Sequence, residues 1–355
     1  MVTITEIAKR ANVSVGTVDR VIHNRGRVSK ETEQRIRQII NELDYKPNIL
    51  ARSLSLSRIF KFGVLMPQIS ANNYYWEIAT KGIRQAEKEL KLHKVQIRYF
   101  CYEGYSESSF LRVAHNVLQE NLDGLLFAPS IYKSINNQFI EQIPGTLPFI
   151  FFNSNIPHAN CLSYIGQDSF QSGVLSAQLM HLIARTDGTI AVLTVRADDY
   201  HINERVKGFL SYFHNIGKKN IKIYGPERTE EKNIFNNILT TIFQEDNDLQ
   251  GIYSTTALTY RIAEFIVTNG INKKINLIGY DLTAKNIYYL NNGMIDFLIS
   301  QRPEIQGFQG IYALYRHVVL GEPVEKKMMI PLDIVTKENL SYYPNLNFNV
   351  MSVCC

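Results

Sequence analysis

Apolar positions change their period along this chain, and the change divides it in two. Up to about residue 46 they recur at helical spacing. Thr3 or Thr5 is placed to cap a short helix running to about Ala11, with Ile4, Ile7 and Ala8 on one face. Asn12-Val13 interrupts the pattern. Ser14 then opens a second helix, about Val15 to Ile22, whose buried stripe is Val18, Val21 and Ile22. A basic turn, Asn24-Arg25-Gly26-Arg27, leads to a third helix capped by Ser29, with Glu31 and Glu33 at its positive end. Ile36, Ile39, Ile40 and Leu43 follow at i, i+3, i+4 and i+7, and Pro47 closes the run. Two short helices joined by a tight turn predict a helix-turn-helix.

From Lys61 the pattern becomes short apolar runs alternating with helical stretches. The runs predict strands at Phe62–Met66, Val95–Phe100, Leu125–Ala128, Phe149–Phe152, Ile190–Val195, Ile221–Tyr224, Ile252–Ser254 and Leu277–Tyr280. Helical stretches near 76–92, 107–121, 169–185, 203–215, 230–245, 257–269 and 303–320 separate them. Such alternation predicts βαβ units and parallel sheets covered on both faces, either as one large sheet or as two similar lobes. The expected class is α/β, with a small all-α head.

Composition narrows the function classes. The chain has 355 residues, 45% hydrophobic and 20% charged, which excludes a disordered tail, a collagen-like fibre and a small disulfide scaffold. No apolar run approaches the ~20 residues of a membrane helix. The start, Met1-Val2-Thr3-Ile4-Thr5-Glu6, lacks the basic and apolar regions of a secretory signal. Cys101, Cys161, Cys354 and Cys355 show no metal spacing, so reduced thiols and a cytoplasmic location are expected, with no membrane partner and no cofactor.

Charge changes the picture more. Residues 1–60 hold 11 Lys/Arg and 6 Asp/Glu, whereas the rest is balanced at 27 of each. All the excess positive charge therefore lies in the first sixth of the chain, as in a nucleic-acid-binding module on a neutral body. The outer face of the second helix carries Val15, Gly16, Thr17 and Arg20. Arg20 suits a bidentate contact to guanine, and Val15 a thymine methyl. Ser14, Thr17, His23, Arg25 and Arg27 suit phosphates, which fix position without reading sequence. Taken singly, each of these is also what a solvated helix face carries.

Taken in order, the head resembles a known family. Thr5-Glu6-Ile7-Ala8, Val13 to Val21, Val28-Ser29 and Leu43 to Asn48 resemble the head of the LacI/GalR repressors, and the likeness continues through Asn48 to Leu54. The resemblance implies a hinge helix that folds on DNA and inserts a leucine into the minor groove, the position of Leu54. It also implies a two-lobed periplasmic-binding-protein-like body, a homodimer on a pseudo-palindromic operator, and control by a small-molecule effector. The expected organisation is a DNA-binding head over 1–46, a hinge and linker over 47–60, and an effector domain over 61–355. Lobe one is expected near 61–159 and 292–325, lobe two near 160–291 and 326–345, with crossings near 159, 291 and 325. The tail from Lys337 has no leucine heptads, so a dimer rather than a tetramer is expected. Asp19 departs from the serine usual just before the arginine, so the operator sequence does not carry over.

Ligands of open α/β sheets bind beyond the carboxyl ends of strands. There, Asn72-Asn73-Tyr74-Tyr75-Trp76 resembles the asparagine-aromatic segment of sugar-binding relatives, which places Asn73, Tyr75 and Trp76 in the expected cleft. Trp76 also suits an aromatic capping a core. Asn153 follows the fourth strand. The resemblance assigns Arg205 to the family's R-x-x-G arginine, Asp281 to its G-[YF]-D aspartate and Gln301 to the glutamine of sugar-binding members. Thr255-Thr256 stands where relatives carry Asn-Asp, so ligand identity is not inherited, although Thr255 keeps its place in the expected site. Asp281 disfavours phosphates and dicarboxylates, Arg205 leaves an acidic sugar open, and a neutral sugar fits best.

Two other classes compete. A sugar-binding transport protein fits the body but not the basic head. An α/β enzyme would need a chemistry-bearing motif, and the chain has no G-x-G-x-x-G, P-loop, G-x-S-x-G or H-E-x-x-H. His158, His181, His201, His214 and His317 are scattered without metal spacing. The expected function is a ligand-responsive DNA-binding regulator without catalytic activity.

Overall fold

A computed structural model of the chain describes residues 3–22, 26, 28–43, 58–69, 74–104, 106–130, 133–184, 188–195, 199–218, 220–225 and 232–343. The chain divides into two compact units, a head within residues 1–59 and a body beginning at Phe60.

In the head, α1 spans Ile4–Ala11, α2 Val15–Ile22 and α3 Lys30–Glu42. Thr3 Oγ1 accepts from the Glu6 amide and Ser29 Oγ from the Thr32 amide, so each helix starts where a side chain satisfies an orphan N–H. The tight turn passes through Asn12 in the left-handed region at φ 49°, which asparagine tolerates better than most residues. Ile7, Ala8, Ala11, Val18, Val21 and Ile36 are buried together, with Ile39, Ile40 and Leu43 packed against them. The hinge segment with Leu54, and His23, Arg25 and Arg27 of the basic turn, lie outside the described residues.

The body's strands are β1 (Phe60–Pro67), β2 (Val95–Tyr102), β3 (Gly124–Phe127), β4 (Phe149–Phe152), β5 (Ser163–Gly166), β6 (Thr189–Leu193), β7 (Ile221–Tyr224), β8 (Leu249–Ser254), β9 (Asn276–Tyr280), β10 (Phe297–Ser300), β11 (Lys327–Met329) and β12 (Asp333–Val335). Its helices are α4 (Tyr74–Leu90), α5 (Glu107–Gln119), α6 (Lys133–Gln142), α7 (Ser169–Ile183), α8 (Tyr200–Asn215), α9 (Lys232–Glu245), α10 (Thr259–Thr268), α11 (Ala284–Asn291) and α12 (Pro303–Tyr315). Two six-stranded sheets result, ordered β11-β5-β4-β3-β1-β2 and β12-β10-β9-β8-β6-β7. Pairing is parallel throughout except for β10 with β12. Helices on both faces bury these strands, so β3, β4 and β9 are buried at every position and their sequences are apolar rather than alternating.

Every apolar run read as a strand forms one. Strands β5, β10, β11 and β12 add to the predicted set; β5, β11 and β12 hold only two apolar residues each, too few for a readable pattern. They move the lobe crossings. β5 pairs with β4, so the first crossing follows Gly166 instead of lying near 159. Asn292-Gly293 ends α11, but the chain then enters β10 of the same sheet as β9. The second crossing therefore falls between Ser300 and Pro303, not near 291, and α12 packs on α4 in lobe one. The third lies between Met329 and Asp333 rather than near 325, because β11 joins the first sheet and β12 the second. Lobe one is thus 60–166 and 303–329, and lobe two 169–300 with β12.

One contact in lobe two sets the position of the helix that carries Arg205. α7 and α8 pack backbone to backbone at two glycines. A Cβ on Gly173 would sit 2.0 Å from the Arg205 carbonyl oxygen, and one on Gly208 2.0 Å from that of Phe170. Only glycine permits this approach.

Candidate functional site

The carboxyl ends of β4, β9 and β10 meet at the second crossing. Asn153 and Asp281, each the first residue after its strand, adopt left-handed backbone at φ 68°, and Arg302, two residues past β10, does so at φ 46°. Such residues turn the chain sharply, and outside glycine they concentrate at functional sites.

Three of the expected residues form a buried polar chain. Arg205 is 2% exposed and donates from Nη1 to the Thr255 carbonyl at 2.8 Å and from Nη2 to Gln301 Oε1 at 2.6 Å. Its guanidinium lies 3.6 Å over the Tyr280 ring, a cation–π platform. Gln301 Nε2 in turn donates to both carboxylate oxygens of Asp281 at 2.9 Å. Gln301 thus relays between a cation and an anion without the two touching. Burial pushes the Asp281 carboxyl up to about 6, against the opposing pull of Arg205 and the Gln301 hydrogen bond. Arg205 Nε has no partner, so one buried donor remains free for an acceptor.

Thr255 departs from expectation. Its hydroxyl donates back to the Leu193 carbonyl at 3.3 Å, and the residue is fully buried. It meets Arg205 through its carbonyl, not its side chain, because a hydroxyl at that depth needs the nearest backbone acceptor.

On the lobe-one side, Tyr75 is 5% exposed and Trp76 3%. Trp76 packs edge-on against Tyr75 and Phe152, with ring centroids at 4.8 and 5.9 Å. Tyr75 lies near enough to Asp281 that the carboxylate, after burial, is a main cause of its raised phenol pKa. Asn73 lies outside the described residues.

Sequence reasoning missed the residues that tie these groups together. Gln306 on α12 is fully buried; its Oε1 accepts from Tyr75 Oη at 3.1 Å and from the Asn153 amide at 2.9 Å, while its Nε2 donates to the Gln301 carbonyl at 2.7 Å. A continuous chain, Tyr75–Gln306–Gln301–Asp281/Arg205, therefore crosses from lobe one to lobe two through the second crossing. Asn286 does the same within lobe two, donating to the Ala257, Tyr280 and Asp281 carbonyls and accepting from the Tyr260 amide. Both had a readable signal: an amide inside the buried stripe of an otherwise apolar helical face.

The outer face of α2 is the second candidate site. Val15 is 41% exposed, Arg20 is exposed, and a Cβ on Gly16 would meet only Ser14 Oγ at 3.8 Å. Ser14 Oγ accepts from the Thr17 amide at 3.1 Å and shares a hydrogen bond with Thr17 Oγ1 at 2.9 Å. Ser14 thus caps the helix start and the Thr17 hydroxyl braces the cap, and open, apolar and basic groups stand side by side along the helix.

Comparison with known proteins decides the family. Residues 62–323 match the periplasmic binding protein domain, and residues 3–48 match the bacterial regulatory proteins of the lacI family. The chain belongs to the LacI family. It is 28% identical to the HTH-type transcriptional regulator DegA of Bacillus subtilis over 216 residues, spanning 61% of each chain. It is 24% identical to the sucrose operon repressor of Lactococcus lactis over 291 residues, 80% of this chain and 84% of that one. A Bacteroides fragilis chain assigned as a LacI transcriptional regulator superposes with a TM-score of 0.74 at 28% identity, covering 81% of this LacI-family chain and all of that one. Among the described residues, no helix is long and apolar enough to cross a membrane and no cluster of three His, Cys, Asp or Glu is placed to hold a metal.

Proposed function

We infer that the chain is a sequence-specific DNA-binding transcriptional repressor whose operator affinity is set by a sugar bound between the lobes. The observation that carries the effector reading is the buried Arg205–Gln301–Asp281 chain beside Tyr75 and Trp76. A cation, an anion, an amide and aromatic walls in one place offer donors, acceptors and apolar platforms together, as a polyhydroxylated ring requires. The Asp281 carboxylate disfavours phosphates and dicarboxylates, because like charges repel. The names of relatives, the sucrose operon repressor among them, support a sugar over other neutral ligands.

In the head, Arg20 and Val15 read base edges, while Ser14, Thr17, His23, Arg25 and Arg27 hold phosphates and Leu54 wedges the minor groove. Two such heads on a homodimer read two half-sites. Effector binding changes the lobe angle and with it the hinge, through a coupling of about 1–3 kcal/mol. The protein binds its ligand without transforming it, and it works in the cytoplasm.

Thermal unfolding against a panel of mono-, di- and acidic sugars tests the reading. A ligand at about 100 times its dissociation constant adds ~2.7 kcal/mol, a shift of several degrees. A hit that disappears in Arg205→Ala and Asp281→Ala is expected. A panel without any shift contradicts the sugar assignment.

A further inference from the structure

Lobe one carries a cavity of about 330 Å³ at the end of its sheet opposite the effector cleft. Phe149, the first residue of β4, and Leu162, which directly precedes β5, both line it. β4 and β5 run parallel, so their amino ends open on the same side of the lobe. The four residues of β4 carry the chain about 13 Å from Phe149 to Asn153 at the cleft, at ~3.3 Å per residue. None of the lining residues is among those of the cleft.

The wall is apolar and the rim is basic. Ile140 on α6, Ile143 and Leu147 in the loop after it, Phe149 and Leu162 form the wall, and Ile143 and Phe149 belong to the buried core beneath. Backbone bonds hold it: the Leu147 amide donates to the Pro144 carbonyl at 2.8 Å, and the Leu162 amide to the Phe149 carbonyl at 2.7 Å. Lys326 and Asn160 stand exposed at the rim. Lys326 Nζ donates to the Cys161 carbonyl at 3.1 Å, which fixes the ammonium there with two further N–H groups to offer. Among the described residues that line the cavity, Lys326 alone carries a charge. Burial pushes the Cys161 thiol up against the pull of Lys326, so the thiol stays neutral.

We propose that this cavity is a second ligand site, for a monocarboxylate with an aromatic or branched apolar body. The body lies on the wall of Ile143, Phe149 and Leu162, and the carboxylate meets Lys326 at the rim. Size and charge set the class. An apolar cavity of ~150 Å³ holds benzene, so this one admits roughly ten to thirteen non-hydrogen atoms. A sugar would leave hydroxyls without partners against the apolar wall. A cation would face Lys326, and a doubly charged anion would find one counter-charge only. The ion pair forms at the exposed rim, so neither charge has to be buried to make it.

Hydrocinnamate is the probe, titrated into the full chain with isotope-labelled isoleucine and leucine methyls. The methyl resonances of Ile140, Ile143, Leu147 and Leu162 should shift in a saturable way, while those of Ile252 and Leu277 in the core of lobe two stay in place. Lys326→Met keeps the aliphatic stem at an exposed position and removes the charge. It should weaken hydrocinnamate about three- to five-fold, the scale of an exposed ion pair. Hydrocinnamyl alcohol, which has no charge to pair, should bind both proteins equally and the wild type less tightly than the acid does. No shift at the four methyls up to the solubility limit of the acid, shifts confined to other methyls, or an acid affinity that Lys326→Met leaves unchanged overturns the proposal. The titration contains no sugar, so its outcome leaves the assignment of the cleft as it stands.

Discussion

Replacing Gln301 by leucine removes the relay of the cleft while keeping its volume. Arg205 Nη2 then loses its 2.6 Å acceptor, and both oxygens of Asp281 lose their 2.9 Å donor. Each buried group left bare costs about 1–3 kcal/mol, and charged ones more. With one cation and one carboxylate affected, Gln301→Leu should destabilise the body by about 4 kcal/mol. That is a large share of a typical stability of about 5–15 kcal/mol. The assay is urea unfolding followed by the fluorescence of Trp76, the only tryptophan, which is buried in lobe one. A triple variant, Arg205→Met with Asp281→Leu and Gln301→Leu, removes the three polar side chains of the relay together and leaves only the Thr255 carbonyl without its donor. Replacing a whole buried ionic set by apolar groups is often near neutral, so the triple variant should be more stable than Gln301→Leu alone. A loss below about 1 kcal/mol for the single change, or a triple variant less stable than it, would refute the relay.

Other consequences follow from the same geometry. In the folded chain Asp281 keeps its proton up to about pH 6, whereas the unfolded carboxyl releases it near its ordinary value of 3.8. The wild type should therefore lose stability relative to Asp281→Asn as pH rises from about 3.8 to about 6, by about 3 kcal/mol, and no further above that; a pH-independent difference in urea midpoints would contradict this. Gly173→Ala drives a methyl into the Arg205 carbonyl, so it should cost about 1–3 kcal/mol and weaken effector binding together, read by unfolding and by ligand-induced melting shifts. Ser14→Ala removes the cap of α2 and should cost the head about 1 kcal/mol, measured by the loss of helical circular dichroism on heating. Arg20→Ala should relax base preference in a randomised-duplex selection, while Arg27→Ala should mainly reduce the salt dependence of binding.

The legible part of this chain is the part that repeats or punctuates. Helix caps at Thr3, Ser14 and Ser29 and the stripe of Ile36, Ile39 and Ile40 specify the head locally, so its three helices can be read residue by residue. Buried parallel strands such as Phe149–Phe152 announce themselves as unbroken apolar runs. Lobe membership is different. It depends on which strands pair, and Ser163–Gly166, with only two apolar residues, does not announce itself as a strand. The cleft shows the same division. Motif spacing reaches Arg205, Asp281 and Gln301, but the direction of a hydroxyl does not follow from sequence, and Thr255 turns inward. Gln306 and Asn286 make no contact that spacing predicts. They matter because the fold brings distant carbonyls and amides to them, from Tyr75 to Gln301 and from Ala257 to Asp281.

The central claim joins a DNA-reading head to a ligand-gated body. It is tested most directly by selecting bound duplexes from a randomised pool with the full chain, then titrating the enriched duplex with and without the sugar found by thermal unfolding. The account predicts an inverted repeat of two half-sites, bound with an affinity that the sugar changes by roughly 5–150-fold. Enrichment of no sequence, or an enriched operator whose affinity the bound sugar leaves unchanged, would contradict it.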